Sequence, residues 1–243
     1  MFETLAALLF AHVLADYVFQ TGWMVANKGK PLVLLLHTAI VIATAQVAIG
    51  SVMAWELLLL GGLHLGVDAI KTYALPDTAT AYLTDQAAHL AVVAALAFYA
   101  PELWANGIWA NQPALPAPVI LHVMVASGGA IYAIRAGGFA VGKLMTPFAD
   151  GFTSGGLPSG GTIIGVLERG LIYVLILAGQ IASVGFLIAA KSVMRYEASK
   201  EQKAAEYVII GTLASFLWAI LVSYGSFALL GLLPPIEIGR ALP

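Results

Sequence analysis

The stretch His64-Leu65-Gly66-Val67-Asp68, followed by Asp85-Gln86-Ala87-Ala88-His89, decides how this chain is read. Residues four apart share one face of an α-helix, so His64 stands with Asp68 and Asp85 with His89. The surrounding sequence is strongly apolar, a setting in which histidine and aspartate are costly. The same layout occurs upstream as His12, Asp16 and His37. The first histidine precedes the last by 25 residues in each set, the aspartate precedes it by 21, and the sets are offset by 52. This spacing predicts two helical hairpins, related by internal duplication, that bring both His-Asp-His triplets to one polar pocket.

The composition says where that pocket lies. Of 243 residues, 60% are hydrophobic and 10% charged, and the mean hydropathy is +0.92. A soluble domain carries roughly 25% charged residues, so too few remain here to cover a water-facing surface. The expected fold class is all-α, a polytopic transmembrane helical bundle. The net charge of -2 comes with no basic arm, and no nucleic-acid partner is expected. Without cysteine there are neither disulfides nor thiolate ligands. The apolar N-terminus is expected to remain as the first helix, because Glu3 replaces a positive leader and His12 and Asp16 interrupt the apolar run.

A spanning helix needs about 20 mostly apolar residues. Seven stretches qualify: 2–20, 31–50, 55–74, 81–100, 118–135, 163–191 and 207–232. Seven crossings divide the lysines and arginines almost evenly between the two sides, against the positive-inside rule. One segment between Lys71 and Arg135 is therefore suspected of not crossing, which gives six or seven spans. The expected organisation is a His/Asp-bearing bundle over 1–100, an intermediate region over 101–162 and a C-terminal helical pair over 163–243. Within the intermediate region, Trp104 and Trp109 read as interfacial anchors, and 151–161 reads as a flexible Gly/Ser/Pro connection. Asp77 or Thr78 is expected to cap the fourth helix, and Glu168 and Arg169 to sit near the interface.

Neutral imidazoles and carboxylates suit a divalent transition metal, zinc foremost, with manganese and iron as alternatives. His12, Asp16, His37, His64, Asp68 and His89 are the candidate ligands. They fill either one crowded site or two adjacent ones, and a two-metal pair is the more attractive arrangement. Asp85 and Gln86 are candidate catalytic residues, as a base or as partners that orient an imidazole. Gln20 extends the first pair by one turn and is grouped with Lys191 and Arg195 as a contact for substrate or headgroup. A His-Asp pair also serves simply to tie helices together. His122 has no nearby carboxylate and reads as a packing residue.

These residues carry a resemblance. The run from His12 through Asp16-Tyr17 to Gln20, with Trp23-Met24, Lys28-Gly29-Lys30, His37, His64, Asp68, Asp85-Gln86 and His89, resembles the bacterial membrane family called domain of unknown function 3307. The second half looks like the C-terminal extension of such proteins, through Ile164-Gly165, Glu168-Arg169, Ala190-Lys191-Ser192, Arg195, Glu206-Tyr207 and Gly211-Thr212 with Ser215. The resemblance implies a multi-pass protein of the bacterial inner membrane and brings no settled activity. The polar pattern is also loosely similar to membrane-bound metal-dependent hydrolases.

The expected function is therefore a metal-dependent hydrolase acting on a lipid or lipid-linked, anionic substrate. The alternatives are a metal-ion or proton-coupled transporter, and a structural or regulatory membrane partner. A homo-oligomer is compatible with the sequence.

Overall fold

The structure, a computed structural model, describes residues 1–51, 53–149, 157, 159–196 and 202–236, and leaves the side chains of 192–196 undescribed. The expected connection over 151–161 lies largely outside these residues. Among those described every regular element is a helix. The described residues fall into two compact units: those of 1–128 with 228–236, and those of 129–227.

In the first unit, α1 (Phe2–Leu14) ends in a π-helical turn, Ala15–Phe19, closed by Gln20 N–H donating to Ala15 O at 3.0 Å. A short helix α2 (Gly22–Ala26) follows, capped by the Thr21 hydroxyl, which accepts from Met24 N–H. Pro31 then starts α3 (Pro31–Ile49) at the position where its missing N–H costs nothing. Gly50, at φ 76°, ends α3 in the left-handed conformation. Next come α4 (Trp55–Ala74) and α5 (Ala79–Tyr99), the latter capped by Thr78 rather than Asp77. Helix α1 packs on α3 and α5, and α4 packs on the same two, so the four helices close into a ring.

Lipid offers little hydrophobic drive for such a ring, so close fit must hold it. On α1 the inward face is Ala6, Ala7, Ala11 and Ala15, and on α3 it includes Ala45 and Ala48, which let the backbones approach. Leu8, Ile49, Leu57, Leu96 and Leu121 fill the space between. The outward faces are apolar, as with Leu35, Leu36 and Val47 on α3 and Leu58 and Leu63 on α4.

The loop after α5 differs from its reading as an interfacial anchor. Trp104 is 1% exposed and belongs to the core. Thr4, buried on α1, donates to Pro101 O at 2.7 Å and accepts from Trp104 N–H at 3.2 Å, which pulls the loop in. Helix α6 (Ile108–Asn111) then docks on the end of α3 through Ile108 N–H to Gly50 O and Trp109 Nε1 to Val47 O. Before it, Gly107 is required by contact: a Cβ there would lie 1.9 Å from Ile49 O.

Helix α7 (Ala117–Ile131) continues through a second π turn, Tyr132–Ala136, into α8 (Gly137–Met145). The stretch 163–191, read as one span, is two helices: α9 (Gly160–Leu177) and α10 (Ile181–Tyr196), broken at Gly179 with φ 73°. The last helix is α11 (Gln202–Leu232).

Within the second unit, Ile172, Ile176, Val184, Phe216 and Ala219 form the core. Arg169 is 4% exposed, buried within the protein. Its Nε donates to Ile134 O, a carbonyl of the π turn, at 3.1 Å, and its Nη1 to Ser215 Oγ at 3.0 Å. Gly165 leaves room for the guanidinium, since a Cβ there would lie 2.9 Å from Nη1. Trp218 Nε1 donates to Tyr132 O, a second carbonyl of the same turn. Displaced carbonyls are the cost of a π turn, and these side chains meet it.

Among the described residues, six helices are long and apolar enough to cross a membrane, ending with Gln202–Leu232. The 20-residue α4 falls outside the set, because Glu56, His64, Asp68 and Lys71 dilute its hydropathy. It runs through Lys71, whereas both long helices of the interval from Lys71 to Arg135, in which a non-crossing segment is expected, qualify as spans: Ala79–Tyr99 and the start of Ala117–Phe148. The protein is thus a multi-pass, all-helical membrane protein.

Two substitutions test this packing by thermal unfolding in detergent. Gly107→Ala should lower stability by about 1–3 kcal/mol, the usual cost of overpacking. Arg169→Leu should cost about 1–3 kcal/mol by stranding Ile134 O and Ser215. Wild-type melting of either variant would show that the contact in question is not holding its unit.

Candidate metal centre

The ring of α1, α3, α4 and α5 surrounds a polar cluster. On α4 the buried positions are Leu57, Leu60, Gly61, His64 and Asp68, one stripe at helical spacing that carries both ligand types inward. His37 on α3 and His89 on α5 are each 1% exposed. His12 faces inward from α1, and Asp16 begins the π turn that follows it. All six expected ligands therefore meet in one place.

They do not meet as two equal triplets. His37 Nε2 lies 3.1 Å from His64 Nε2, 3.4 Å from Asp16 Oδ1 and 3.5 Å from Asp68 Oδ2. His64 Nε2 lies 3.6 Å from each of the same two carboxylate oxygens. Four donors, two from each triplet, thus form a tight inner set. Ligands at 2.0–2.1 Å around a tetrahedral zinc are separated by about 3.3–3.4 Å. The five measured separations bracket that value, the spacing expected of donors around one small cation.

Hydrogen bonding tells the same story. Asp16 Oδ1 and Asp68 Oδ2 are buried and have no hydrogen-bond partner, although imidazole nitrogens stand near them. A buried carboxylate oxygen without a partner is expensive. A cation shared by both carboxylates and both imidazoles removes the expense, whereas one proton between two imidazoles does not reach the carboxylates.

The remaining polar residues form an outer layer. His89 Nδ1 is 2.9 Å from Asp85 O and 3.5 Å from Asp85 Oδ1, which fixes the ring and turns Nε2 inward. That Nε2 lies 3.9 Å from Asp68 Oδ1 and has no hydrogen-bond partner. The His12 ring stacks on His89 with centroids 5.4 Å apart, and its Nδ1 is 3.9 Å from Asp16 Oδ1. Gln86 lies beside His12 and donates through Nε2 to Asp85 at 3.4 Å. Three overlapping sets have ligand atoms within 4.8 Å of one another: His12, Asp16 and His64; His37, His64 and Asp68; and Asp68, Asp85 and His89. The protein thus holds buried His/Asp groups able to bind a metal ion.

Sequence reasoning missed Lys28, whose Nζ reaches Asp68 Oδ1 at 2.7 Å from the loop between α2 and α3. The available signal was the Asn-Lys-Gly-Lys-Pro turn placed directly after the first pair, but a loop lysine carries no period that aims it inward. Gln20 ends the π turn with its amide nitrogen buried and unbonded. Lys191 belongs to the second unit, where it pairs with Glu168 and lies 4.9 Å above the Phe216 ring. Arg195 has a described backbone in α10, and its side chain lies outside the description. His122 stands apart from the cluster, with Nδ1 2.7 Å from Pro118 O in its own helix.

No curated protein and no solved structure matches this chain. One family model does, over residues 4–113, the stretch that contains α1 to α6 and every residue of the cluster. Over those residues the chain is similar to the family described as "Protein of unknown function (DUF3307)", the family its motifs resemble.

Proposed function

We propose that this protein is a metal-dependent membrane hydrolase acting on a lipid or lipid-linked, anionic substrate, with the ion held by Asp16, His37, His64 and Asp68. The observation that carries the reading is the spacing of those four donors, 3.1–3.6 Å over the five measured pairs. Zinc is the metal favoured by two imidazoles with two carboxylates, and manganese or iron accept the same donors.

Four protein donors alone would describe a structural zinc site. What favours catalysis is the layer beside them. A structural ion needs neither an imidazole with a free inward nitrogen nor a partner that fixes its ring. His89 has both, with the backbone carbonyl of Asp85 at 2.9 Å from Nδ1 and nothing bonded to Nε2. When bound, the metal would supply a Lewis acid, and a water admitted beside the four donors would become a nucleophile near neutral pH. In this reading His89 takes the proton of the attacking water at Nε2, Asp85 holds the ring in the required tautomer, and Gln86 keeps Asp85 in place. The setting expected from the family resemblance, a bacterial inner membrane, supplies lipid-linked substrates.

A second reading is supported by a different observation. The rings of His12, His89, His64 and His37 follow one another with centroid separations of 5.4, 4.1 and 5.1 Å. A chain of imidazoles in an apolar bundle also suits the passage of protons or a metal ion.

Protein purified in mild detergent should retain a transition metal by elemental analysis, and His64→Ala or His37→Ala should lose it. Hydrolysis of lipid-linked phosphoesters should fall at least a hundredfold in His89→Ala, with the metal retained. A metal-free protein whose His64→Ala variant is indistinguishable from wild type would remove the proposal. Proton or metal flux in proteoliposomes, without turnover, would favour the second reading.

A further inference from the structure

The loop between α2 and α3 places a lysine on the metal cluster from outside. Lys28 is 21% exposed, whereas the carboxylate it grips, Asp68, is 2% exposed. The loop is held on both sides of this residue. Lys30 Nζ donates to Asn27 Oδ1 at 2.8 Å, Asn27 Nδ2 donates to Trp23 O at 2.9 Å, and Tyr73 of α4 donates to Gly29 O at 3.1 Å. Lys28 is thereby turned inward, while Lys30 is spent on the loop itself.

The two oxygens of Asp68 face different partners. Oδ2 faces His37 and His64 of the inner set, and Oδ1 faces Lys28 at 2.7 Å and His89 Nε2 at 3.9 Å. The outer set, Asp68, Asp85 and His89, has the residue types of a second metal site and ligand atoms within 4.8 Å of one another. Its shared oxygen is already occupied by an ammonium. Lys28 is also an electrostatic neighbour of Asp85. Among the described residues it is the one lysine or arginine paired with a carboxylate of the cluster.

We propose that Lys28 is the second cation of this centre: its ammonium stands where a second metal would bind, so the cluster takes one metal ion in the inner set. The inference rests on the inner set binding metal, and it adds the number of ions and the residue that sets it. Two carboxylates bridging two sets of donors ordinarily hold two divalent ions close together, and the pair share the carboxylate between them. Here a divalent ion on Asp85 and His89 would share Asp68 Oδ1 with a positive charge already in contact, and the repulsion at that distance in a poorly screened interior disfavours it. A lysine also differs from a metal in being mounted on a loop, so this cation is part of the chain and cannot be lost to chelators.

The test is the number of ions bound. Purified full-length protein in detergent is stripped with chelator, reloaded with Co(II), and assayed for cobalt per chain and for visible absorption, in which tetrahedral Co(II) gives intense bands. Wild type is expected to bind one tetrahedral ion. Lys28→Met is expected to bind two, the second with a different spectrum, and Lys28→Arg and Lys30→Met are expected to stay at one. Two ions in wild type, or one ion in Lys28→Met with the wild-type spectrum, would overturn the proposal while leaving the inner site intact. No cobalt in wild type would instead overturn the metal reading beneath it. Because Lys28 lies in a partly exposed loop, the melting temperature of Lys28→Met should match that of Lys30→Met within a few degrees, and loss of fold in Lys28→Met alone would assign the residue a structural role and overturn the inference.

Discussion

Two buried carboxylates that face imidazole edges without hydrogen bonds are the constraint on which the first unit depends. Asp16 Oδ1 and Asp68 Oδ2 are buried without a hydrogen-bond partner, and a buried ion costs several kcal/mol when uncompensated. The ring of α1, α3, α4 and α5 makes sense as the answer to that cost. Alanine faces on α1 and α3 let the helices approach closely enough for donors from three elements, the π turn after α1, α3 and α4, to lie 3.1–3.6 Å apart over the five measured pairs. The packing and the chemistry are therefore one requirement. Leucines in place of Ala7 or Ala11 would separate the helices and dissolve the tight donor set.

The cluster is less symmetric than the spacing that announces it. In the regular α4 helix, His64 presents Nε2 to Asp68 of its own turn, at 3.6 Å. On α1 the aspartate lies in a π turn, and its oxygen is nearer to His37 and His64 than to His12. π turns often mark functional positions because one added residue redirects a side chain without ending the helix. The consequence is a division of labour. Asp16, His37, His64 and Asp68 form the inner set, while His12, Asp85, Gln86 and His89, with Lys28, surround it.

The second unit solves the opposite problem by other means. Arg169 is a buried cation, and its donors go to a backbone carbonyl and a hydroxyl. Its neighbour Glu168 is taken up by Lys191. The π turn at Tyr132–Ala136 offers carbonyls that a regular helix would use up, and Arg169 and Trp218 bind them. In both units, then, a π turn meets a buried charged side chain. In the first it positions a ligand, and in the second it supplies acceptors.

Much of this was legible in the residues themselves. The apolar composition and span lengths indicated a helical membrane bundle. The four-residue spacing of His64 with Asp68 and of Asp85 with His89 placed each pair on one face, because that relation is local and follows from the helical repeat. What tertiary structure alone decided is everything that depends on rotation between helices. It chose which imidazole edges meet, sorted six equivalent-looking candidate ligands into an inner four and an outer two, drew Trp104 into the core, buried Arg169, and turned Lys28 inward. None of these leaves a period in the sequence, since each arises where chain segments tens of residues apart come into contact.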